Sequence, residues 1–313
     1  MQWSDRVGRR LKLRDLHIVL AVAESGSMAK AAADLAISQP SVSKAIADVE
    51  HVVGLPLFDR GPRGIEPTIY GRALANCGTA VFDELRQGVK QLEFLADPTV
   101  GALRVGCNET LAAGSVSATI EQLLREYPKV AVQVVPANRE TLLNRELPLR
   151  TIDLAVAPVS GLTLGEGMEL KPLFEDRFVV MAGAQKAVRR RKLTLADLID
   201  ERWVLPPPES LPGSMIADVF RAEGLEPPQA HVVSFSIPLH QHLLATGGFV
   251  TILPASMLHF GKHLSMRRLP VDIVEKTYSI GIVALKNRTL APFAQVFIDR
   301  ALKLAKSITK LGM

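Results

Sequence analysis

Two short helical segments joined by a very short turn constrain the N-terminal part of this sequence most strongly. The first begins at Met28, after the capping residue Ser27, and its consecutive alanines allow a second helix to pack closely. The second begins at Ser38, and Pro40 is tolerated in its first turn because the missing amide hydrogen has no intrahelical partner there. Only residues 36–38 separate the two segments, which predicts a helix-turn-helix.

A further helix precedes this pair, and a hairpin follows it. The helix is predicted over residues 13–24 and ends at Ser25 and Gly26. Segment 55–68 is predicted as two short extended pieces around a turn rich in glycine and proline, which is typical of a wing. Its arginines, Arg60 and Arg63, are suitably placed for DNA phosphates or a minor groove.

A long helix is predicted from Thr68 to about Ala96, because no proline interrupts this stretch and apolar residues recur at helical spacing. The apolar positions are Leu74, Val81, Leu85, Val89 and Leu92. With little local core to cover them, we expect the helix to pair with the same helix of a second chain. The break at Asp97 and Pro98 then predicts a hinge.

The rest of the chain alternates short buried strands with helical stretches, which predicts an α/β fold. The predicted strands cover residues 103–106, 130–135, 152–156, 178–181, 203–205, 232–235, 250–253 and 280–284.

Composition narrows the possible classes of protein but does not choose among them. A chain of 313 residues favours two domains. The net charge of +5 permits an anionic partner, yet residues 1–100 contain 12 basic and 12 acidic residues, so charge alone does not predict DNA binding. No apolar stretch is long enough for a membrane span and no signal peptide is evident, so we expect a cytoplasmic protein without membrane contact.

The sequence lacks the patterns that indicate catalysis or a cofactor. We find no glycine-rich phosphate loop, no metal-ligand cluster and no nucleophile elbow, and we interpret His240 and His242 as surface residues. Cys77 and Cys107 are interpreted as reduced structural thiols, with a redox sensor as the alternative. We therefore expect neither enzymatic activity nor a cofactor.

The sequence resembles the LysR-type transcriptional regulators. The N-terminal resemblance is carried by Leu13–Leu16, Ala21–Met28, Ala31–Ala32, Ser38–Lys44, Glu50, Gly54, Leu57–Arg60 and Thr68–Gly71. A weaker resemblance continues through Gly101–Gly106, Tyr127–Pro128, Ile152–Ala155 and Gly247–Pro254. The motif of residues 39–44 followed by 60–64 is similar to the branch of regulators of sugar uptake and aromatic-acid catabolism.

The resemblance implies an α/β fold class with three parts. A winged helix-turn-helix DNA-binding domain would cover residues 1–70, a dimerisation linker helix residues 71–97, and an effector-binding regulatory domain residues 98–313. The regulatory domain would resemble periplasmic binding proteins, with two α/β subdomains. Subdomain I would comprise about 101–172 and 277–313, and subdomain II about 173–276.

The resemblance also implies which residues face DNA. Gln39, Pro40, Ser41, Ser43 and Lys44 would meet bases or phosphates at the start of the recognition helix, and their donors, acceptors and apolar atoms suit that role. Further DNA contacts are expected from Ser27, Lys30, Arg60 and Arg63.

A small-molecule effector of unknown identity would bind between the two subdomains and modulate promoter binding or activation. The implied effector-binding residues are Asn108, Glu109, Thr110, Asn138, Pro207, Pro208 and Ser236. The negative charge of Glu109 favours a hydroxyl-rich or cationic effector over a small carboxylate, unless this side chain serves only as a helix-dipole partner.

The expected partners are double-stranded promoter DNA, the effector and a second copy of the chain, in a homodimer or homotetramer. Contact with RNA polymerase is possible. The alternative is a cytoplasmic solute-binding or ligand-sensing protein without promoter function.

Overall fold

The computed structural model describes residues 10–61, 64–165, 167–186, 192–260, 265–271, 273 and 277–310. The chain divides into two compact units, Met1–Val89 and Lys90–Met313. Each unit has its own hydrophobic core. Within the described residues, no helix combines the length and the apolar character needed to cross a membrane.

The N-terminal unit consists of helices packed around a small core, with a two-stranded sheet beside them. Its elements are α1 (Leu13–Ser25), α2 (Met28–Asp34), α3 (Gln39–Val53), β1 (Phe58–Gly61), β2 (Gly64–Pro67) and the start of α4 (Ile69–Ala96). Hydroxyl groups cap α2 and α3: Ser27 accepts the amide hydrogen of Lys30, and Ser38 accepts that of Ser41.

The turn between α2 and α3 begins earlier than the sequence predicts. Ala36 has a φ of 52°, in the left-handed region, so the helix cannot continue through it. The amide of Ile37 then donates to the carbonyl of Ala32 at 3.0 Å, which satisfies a carbonyl at the end of α2.

Glu50, Thr68 and Gly71 fix the β1–β2 hairpin to the helices. The Glu50 carboxylate accepts the amide hydrogens of Leu57 and Phe58 at 2.7 and 3.3 Å. Thr68 donates its hydroxyl to the Leu57 carbonyl and accepts the Gly71 amide. A Cβ on Gly71 would lie 2.0 Å from the Leu57 oxygen, so only glycine allows this close approach.

The apolar stripe predicted on α4 is packed near its start and exposed farther along the helix. Leu74 packs against the N-terminal core, so part of the stripe has the local partner that the sequence did not reveal. Leu85, Val89 and Leu92 are exposed, as is Leu95 beyond the predicted stripe. An apolar surface therefore remains uncovered on the C-terminal half of this helix.

The C-terminal unit contains one continuous sheet flanked by helices. Its strands are β3 (Val100–Cys107), β4 (Lys129–Pro136), β5 (Leu154–Pro158), β6 (Met168–Gly183), β7 (Arg202–Leu205), β8 (Val232–Val233), β9 (Phe249–Pro254), β10 (Met266–Arg268) and β11 (Thr277–Leu285). Its α-helices are the short α5 (Glu109–Leu111), α6 (Ser117–Glu126), the short α7 (Arg139–Thr141), α8 (Leu211–Ala222), α9 (Ile237–Ala245), α10 (Ser256–Phe260) and α11 (Pro292–Lys310). Two π-helical segments (Ala112–Val116, Leu142–Glu146) and a 3₁₀ turn (Ala196–Leu198) complete these elements.

The strand order divides this sheet into two halves that β6 joins. The order is β4-β3-β5-β11-β6-β9-β7-β8, with β10 also paired to β6. β3 is parallel to β4 and β5 in one half, and β7 is parallel to β8 and β9 in the other. β6 pairs with β11 as far as Arg177 and with β9 from Phe178 onward. The boundary proposed at residue 172 falls inside β6, and the one at 276 falls just before β11.

A buried carboxylate, Asp153, ties together several elements of the first half. Its oxygens accept hydrogen bonds from the Arg104 amide and guanidinium at 2.9 and 2.7 Å, and from the Arg288 guanidinium at 3.1 Å. Lys90, near the end of α4, lies 3.8 Å away. Burial acts to raise the pKa of Asp153, but the hydrogen bonds and charges of Arg104 and Lys90 outweigh it and hold this pKa below its ordinary value.

We expect Gly71→Ala to destabilise the N-terminal unit by about 1–3 kcal/mol, because the new methyl group forces the Leu57 carbonyl away. Gly88→Ala on the same helix is the matched control, since its Cβ meets no atom within 4 Å and alanine favours a helix. Thermal unfolding of both variants tests this expectation, which is wrong if Gly71→Ala unfolds at the wild-type temperature.

Asp153→Asn should cost about 3–5 kcal/mol of unfolding free energy at neutral pH, because it removes the buried negative charge that Arg104 and Arg288 bind. The folded-state pKa is depressed, so the contribution of Asp153 is present above the unfolded-state pKa of about 3.9 and disappears as the pH falls through the folded value. Urea unfolding from pH 7 to pH 3 should therefore show the gap between wild type and variant shrinking below about pH 4.

Asp218→Asn is the matched control, because Asp218 forms only an exposed ion pair with Arg221. A gap between wild type and Asp153→Asn that is independent of pH would contradict the assigned role of the carboxylate.

Candidate DNA interface and effector cleft

The start of α3 presents polar residues on the side away from its packed face. Val42, Ile46 and Val49 are buried in the N-terminal core. The residues predicted to face DNA from the first turns are at least partly exposed; they are Gln39, Pro40, Ser41 and Lys44, with Ser43 half-buried. On the preceding helix, Lys30 is exposed and Ser27 is half-buried. This arrangement leaves hydrogen-bond donors and acceptors available to a major groove.

Two serines among these residues also have structural roles. Ser27 caps α2, and the Ser41 hydroxyl lies 2.8 Å from that of Ser38, the cap of α3. Their contribution to DNA binding therefore competes with hydrogen bonds inside the protein. Gln39, Pro40 and Lys44 are exposed and take no part in these caps, and of these Gln39 and Lys44 have side chains that form hydrogen bonds.

The hairpin after α3 has the form of the predicted wing. β1 and β2 pair antiparallel, with Gly61 opposite Gly64. Arg60 lies on β1 opposite Ile65, whereas Arg63 lies outside the described residues. The amide of Ile65 donates to the carbonyl of Gly26 at 3.1 Å, which joins the wing to the turn between α1 and α2.

A cleft of about 610 Å³ opens in the C-terminal unit between the two halves of the sheet. Helix N-termini surround it, and each begins with a polar residue that caps its own helix. The side chains of Asn108, Asn138, Ser210 and Ser236 accept amide hydrogens from Leu111, Thr141, Gly213 and Leu239, respectively. The cleft therefore has the size and position of a small-molecule site.

The structure brings some of the predicted effector residues together and not others. Asn108, Glu109, Thr110 and Asn138 line the cleft. Three of the predicted residues do not line the cleft: Pro207, Pro208 and Ser236. Residues close to them in sequence line it instead: Pro206, Glu209, Ser210, Ser234, Phe235 and Ile237. The Pro207 carbonyl accepts the hydroxyl of Ser210, so this turn closes onto the start of α8.

The floor of the cleft contains buried polar residues that the sequence analysis missed. Asp176 on β6 stands opposite Tyr278 on β11. Its carboxylate accepts the Ser256 hydroxyl at 2.6 Å, the Ser256 amide at 3.2 Å and the Arg177 amide at 2.8 Å. Burial raises the pKa of Asp176 despite these bonds, and burial followed by the charge of Asp176 raises the pKa of Tyr278. No motif marks these residues, because they meet only when the strands pair.

His240 is a correction to the sequence analysis, which placed it on the surface. Only 2% of it is exposed, and its ring nitrogens lie 3.1 Å from the Thr251 hydroxyl and 3.0 Å from the Ser234 carbonyl. Burial lowers the pKa of His240. It lies on the inner face of α9, which turns toward the sheet. Among the described residues, no cluster of histidine, cysteine and carboxylate groups could hold a metal ion.

The two cysteines lie in different environments. Cys107, at the end of β3, is fully buried, and burial raises the pKa of its thiol to about 12. The thiolate that oxidation requires is therefore scarce at neutral pH. Cys77 is an exposed free thiol on α4.

Glu109 reaches across the cleft to its opposite wall. Its Oε2 accepts the amide hydrogen of Ile237, the first residue of α9, at 3.0 Å. The charged residues lining the cleft are mainly acidic: Glu109, Glu140, Asp176 and Glu209, against Arg139. Arg139 is itself paired with Glu140 at 3.3 Å.

Comparison with known proteins identifies both units. The LysR substrate binding domain matches residues 96–306, and the bacterial regulatory helix-turn-helix protein family, lysR type, matches residues 13–72. The chain is 30% identical to the HTH-type transcriptional regulator GbpR of Azospirillum brasilense, over 96% of this chain and 88% of that protein. It is 25% identical to the HTH-type transcriptional regulator TdcA of Escherichia coli K12, over 93% of this chain and 92% of that protein.

Solved structures share the fold. Full-length CbnR complexed with its target DNA has a TM-score of 0.63 at 21% identity, covering 94% of this chain and 100% of that chain. Full-length BenM has a TM-score of 0.53 at 21% identity, covering 96% of this chain and 98% of that chain. The predicted fold class, a helix-turn-helix and linker helix followed by an α/β ligand-binding domain, is confirmed, and the chain belongs to the LysR family of DNA-binding transcriptional regulators.

Proposed function

We propose that this LysR-family regulator reads promoter DNA with the first turns of α3, and that a small molecule in the cleft modulates this binding or the activation that follows. The observation that carries the proposal is the exposed polar start of α3 beside a fully packed opposite face. Gln39 can pair with an adenine edge and Lys44 can reach a phosphate or guanine. Lys30 and the wing, with Arg60 and Arg63, would contact the DNA backbone or minor groove.

Promoter binding fits a homodimer, because a dimer presents two recognition helices to two half-sites. The exposed apolar residues on α4 support pairing of this helix with a second copy: Leu85, Val89, Leu92 and Leu95. Two such dimers would form a tetramer. We also propose that the protein acts in the cytoplasm, and that contact with RNA polymerase would convert a change on DNA into activation.

The cleft would transmit the effector signal through its two halves. In the part of the chain that the structure describes, β6 runs through both halves, so a ligand that contacts both walls would change their relative position. Such a ligand shifts the regulator between states by its difference in affinity for them. We infer that the result is a change in DNA bending within the bound complex, and identical footprints with and without effector would contradict this. The assignment of this chain to the branch of regulators of sugar uptake and aromatic-acid catabolism stays a prediction.

The double variant Gln39→Ala, Lys44→Ala tests the DNA interface. In gel-shift titrations on the region upstream of its own gene, at fixed salt, it should lose specific affinity by about 1–3 kcal/mol per base contact, because hydrogen bonds to base edges are removed. The pair Gln295→Ala, Lys303→Ala is the control, since it removes the same residue types from exposed positions on α11. If wild type binds weakly and without sequence preference, a ligand-sensing role without promoter function replaces this proposal.

Leu92→Glu tests self-association through α4. We expect sedimentation velocity to show a smaller species at the same concentration, because a charge in an apolar helix pair is left without solvent. Gln91→Glu adds the same charge to the same helix, roughly 100° around its axis, and should keep the wild-type assembly. Unchanged assembly of Leu92→Glu would place the interface elsewhere.

A further inference from the structure

A side-chain hydrogen bond connects the two walls of the cleft. The Glu109 carboxylate comes from the segment after β3 in the first half, and the Ile237 amide begins α9 in the second half. The two residues are 128 positions apart in sequence, so this bond is purely tertiary. A carboxylate on a helix N-terminus is favoured by both the free amide and the helix dipole.

Once Glu109 is in place, the first turn of α9 has no amide left for an outside ligand. Pro238 has no amide hydrogen. The Leu239 amide donates to the Ser236 hydroxyl, and the His240 amide donates to the Ser236 carbonyl at 3.1 Å. The Ile237 amide is therefore the donor that remains, and Glu109 takes it.

The second oxygen of the Glu109 carboxylate remains available to a ligand in the cleft. No hydrogen bond to Oε1 of Glu109 occurs within the described part of the chain, and this residue lines the cleft. Asp176, by contrast, already accepts hydrogen bonds from Ser256 and Arg177. A ligand that donates a hydrogen bond thus finds an acceptor at Glu109, while an anion meets a predominantly acidic lining.

We propose that Glu109 fills the anion position at the start of α9 with its own carboxylate, so that the cleft selects ligands that carry hydrogen-bond donors and no negative charge. This inference rests on the proposed effector role of the cleft and specifies its ligand class. Glu109 acts as the specificity-determining residue, and it also holds the two walls together in the absence of a ligand.

Removing the Glu109 side chain should open the anion position to a free carboxylate. The experiment measures thermal unfolding of the purified full-length protein in sodium acetate, with sodium chloride of equal ionic strength and acetamide as comparisons. We expect Glu109→Ala to unfold at a lower temperature than wild type, and acetate to restore about 2–4 °C. Chloride and acetamide should not restore it, and wild type should not respond to acetate.

Two variants separate this role from a general effect of charge. Glu109→Gln keeps a side-chain oxygen that accepts the Ile237 amide, so it should fill the position and show no acetate response. Glu209→Ala removes an exposed negative charge from the same cleft without removing the bond across it, and should also show none. Glu209→Ala therefore measures how much of any acetate effect is electrostatic.

The proposal is overturned if Glu109→Ala responds to acetate no more than wild type does, or if Glu209→Ala responds equally. If Glu109→Ala fails to fold, the other two proteins decide the outcome. Stabilisation of wild type or of Glu109→Gln by acetate would overturn the proposal, and no stabilisation of either would support the proposal. Because no DNA is present, the result is independent of the gel-shift test. Loss of promoter binding with intact acetate rescue would count against the regulator's DNA interface alone.

Discussion

The pairing of β6 with β11 is the constraint on which the C-terminal unit depends. β6 passes from one half to the other between Arg177 and Phe178, and Thr277, where β11 begins, pairs with Arg177 at the same place in the sheet. The buried Asp176 sits at this point and binds both the amide and the hydroxyl of Ser256 at the start of α10. Burial raises the pKa of this carboxyl group, and the hydrogen bonds from Ser256 and Arg177 act in the opposite direction. Asp176, Phe178 and Tyr278 at this junction also line the cleft, so the strands that link the two halves contribute directly to the candidate ligand site.

Helix caps determine much of the chemistry of the cleft. Parallel strands in both halves deliver helix N-termini to the same opening, as is general for α/β sheets. Each N-terminus has unpaired amides, and here polar side chains of the protein satisfy several of them. The hydrogen bonds available to a ligand therefore depend on which helix amides have no acceptor within the protein. At α9, proline at the second position and Glu109 across the cleft leave none in the first turn.

In the N-terminal unit, several residues that carry the family resemblance are explained by packing. Glu50 and Thr68 hold the backbone at the start of the wing, and Gly71 lets α4 approach the Leu57 carbonyl. None of these residues needs to touch DNA for substitution to impair binding. These contacts hold the wing against α3 and α4, so they fix the position of the surface proposed to face DNA.

The sequence by itself determined the helix-turn-helix, the wing, the long helix and the α/β character of the rest, because caps, prolines and apolar periodicity act over a few residues. It also singled out Glu109 by its charge. It failed where the answer depended on partners distant in the chain: the burial of His240, the meeting of Asp176 with Tyr278, and the packing of Leu74. The first part of β6 escaped prediction because most of its residues are only half-buried and charged residues such as Glu169, Lys171 and Glu175 interrupt its apolar pattern. Only the tertiary structure decided that Glu109 reaches Ile237, since a hydrogen bond across 128 residues has no local signature.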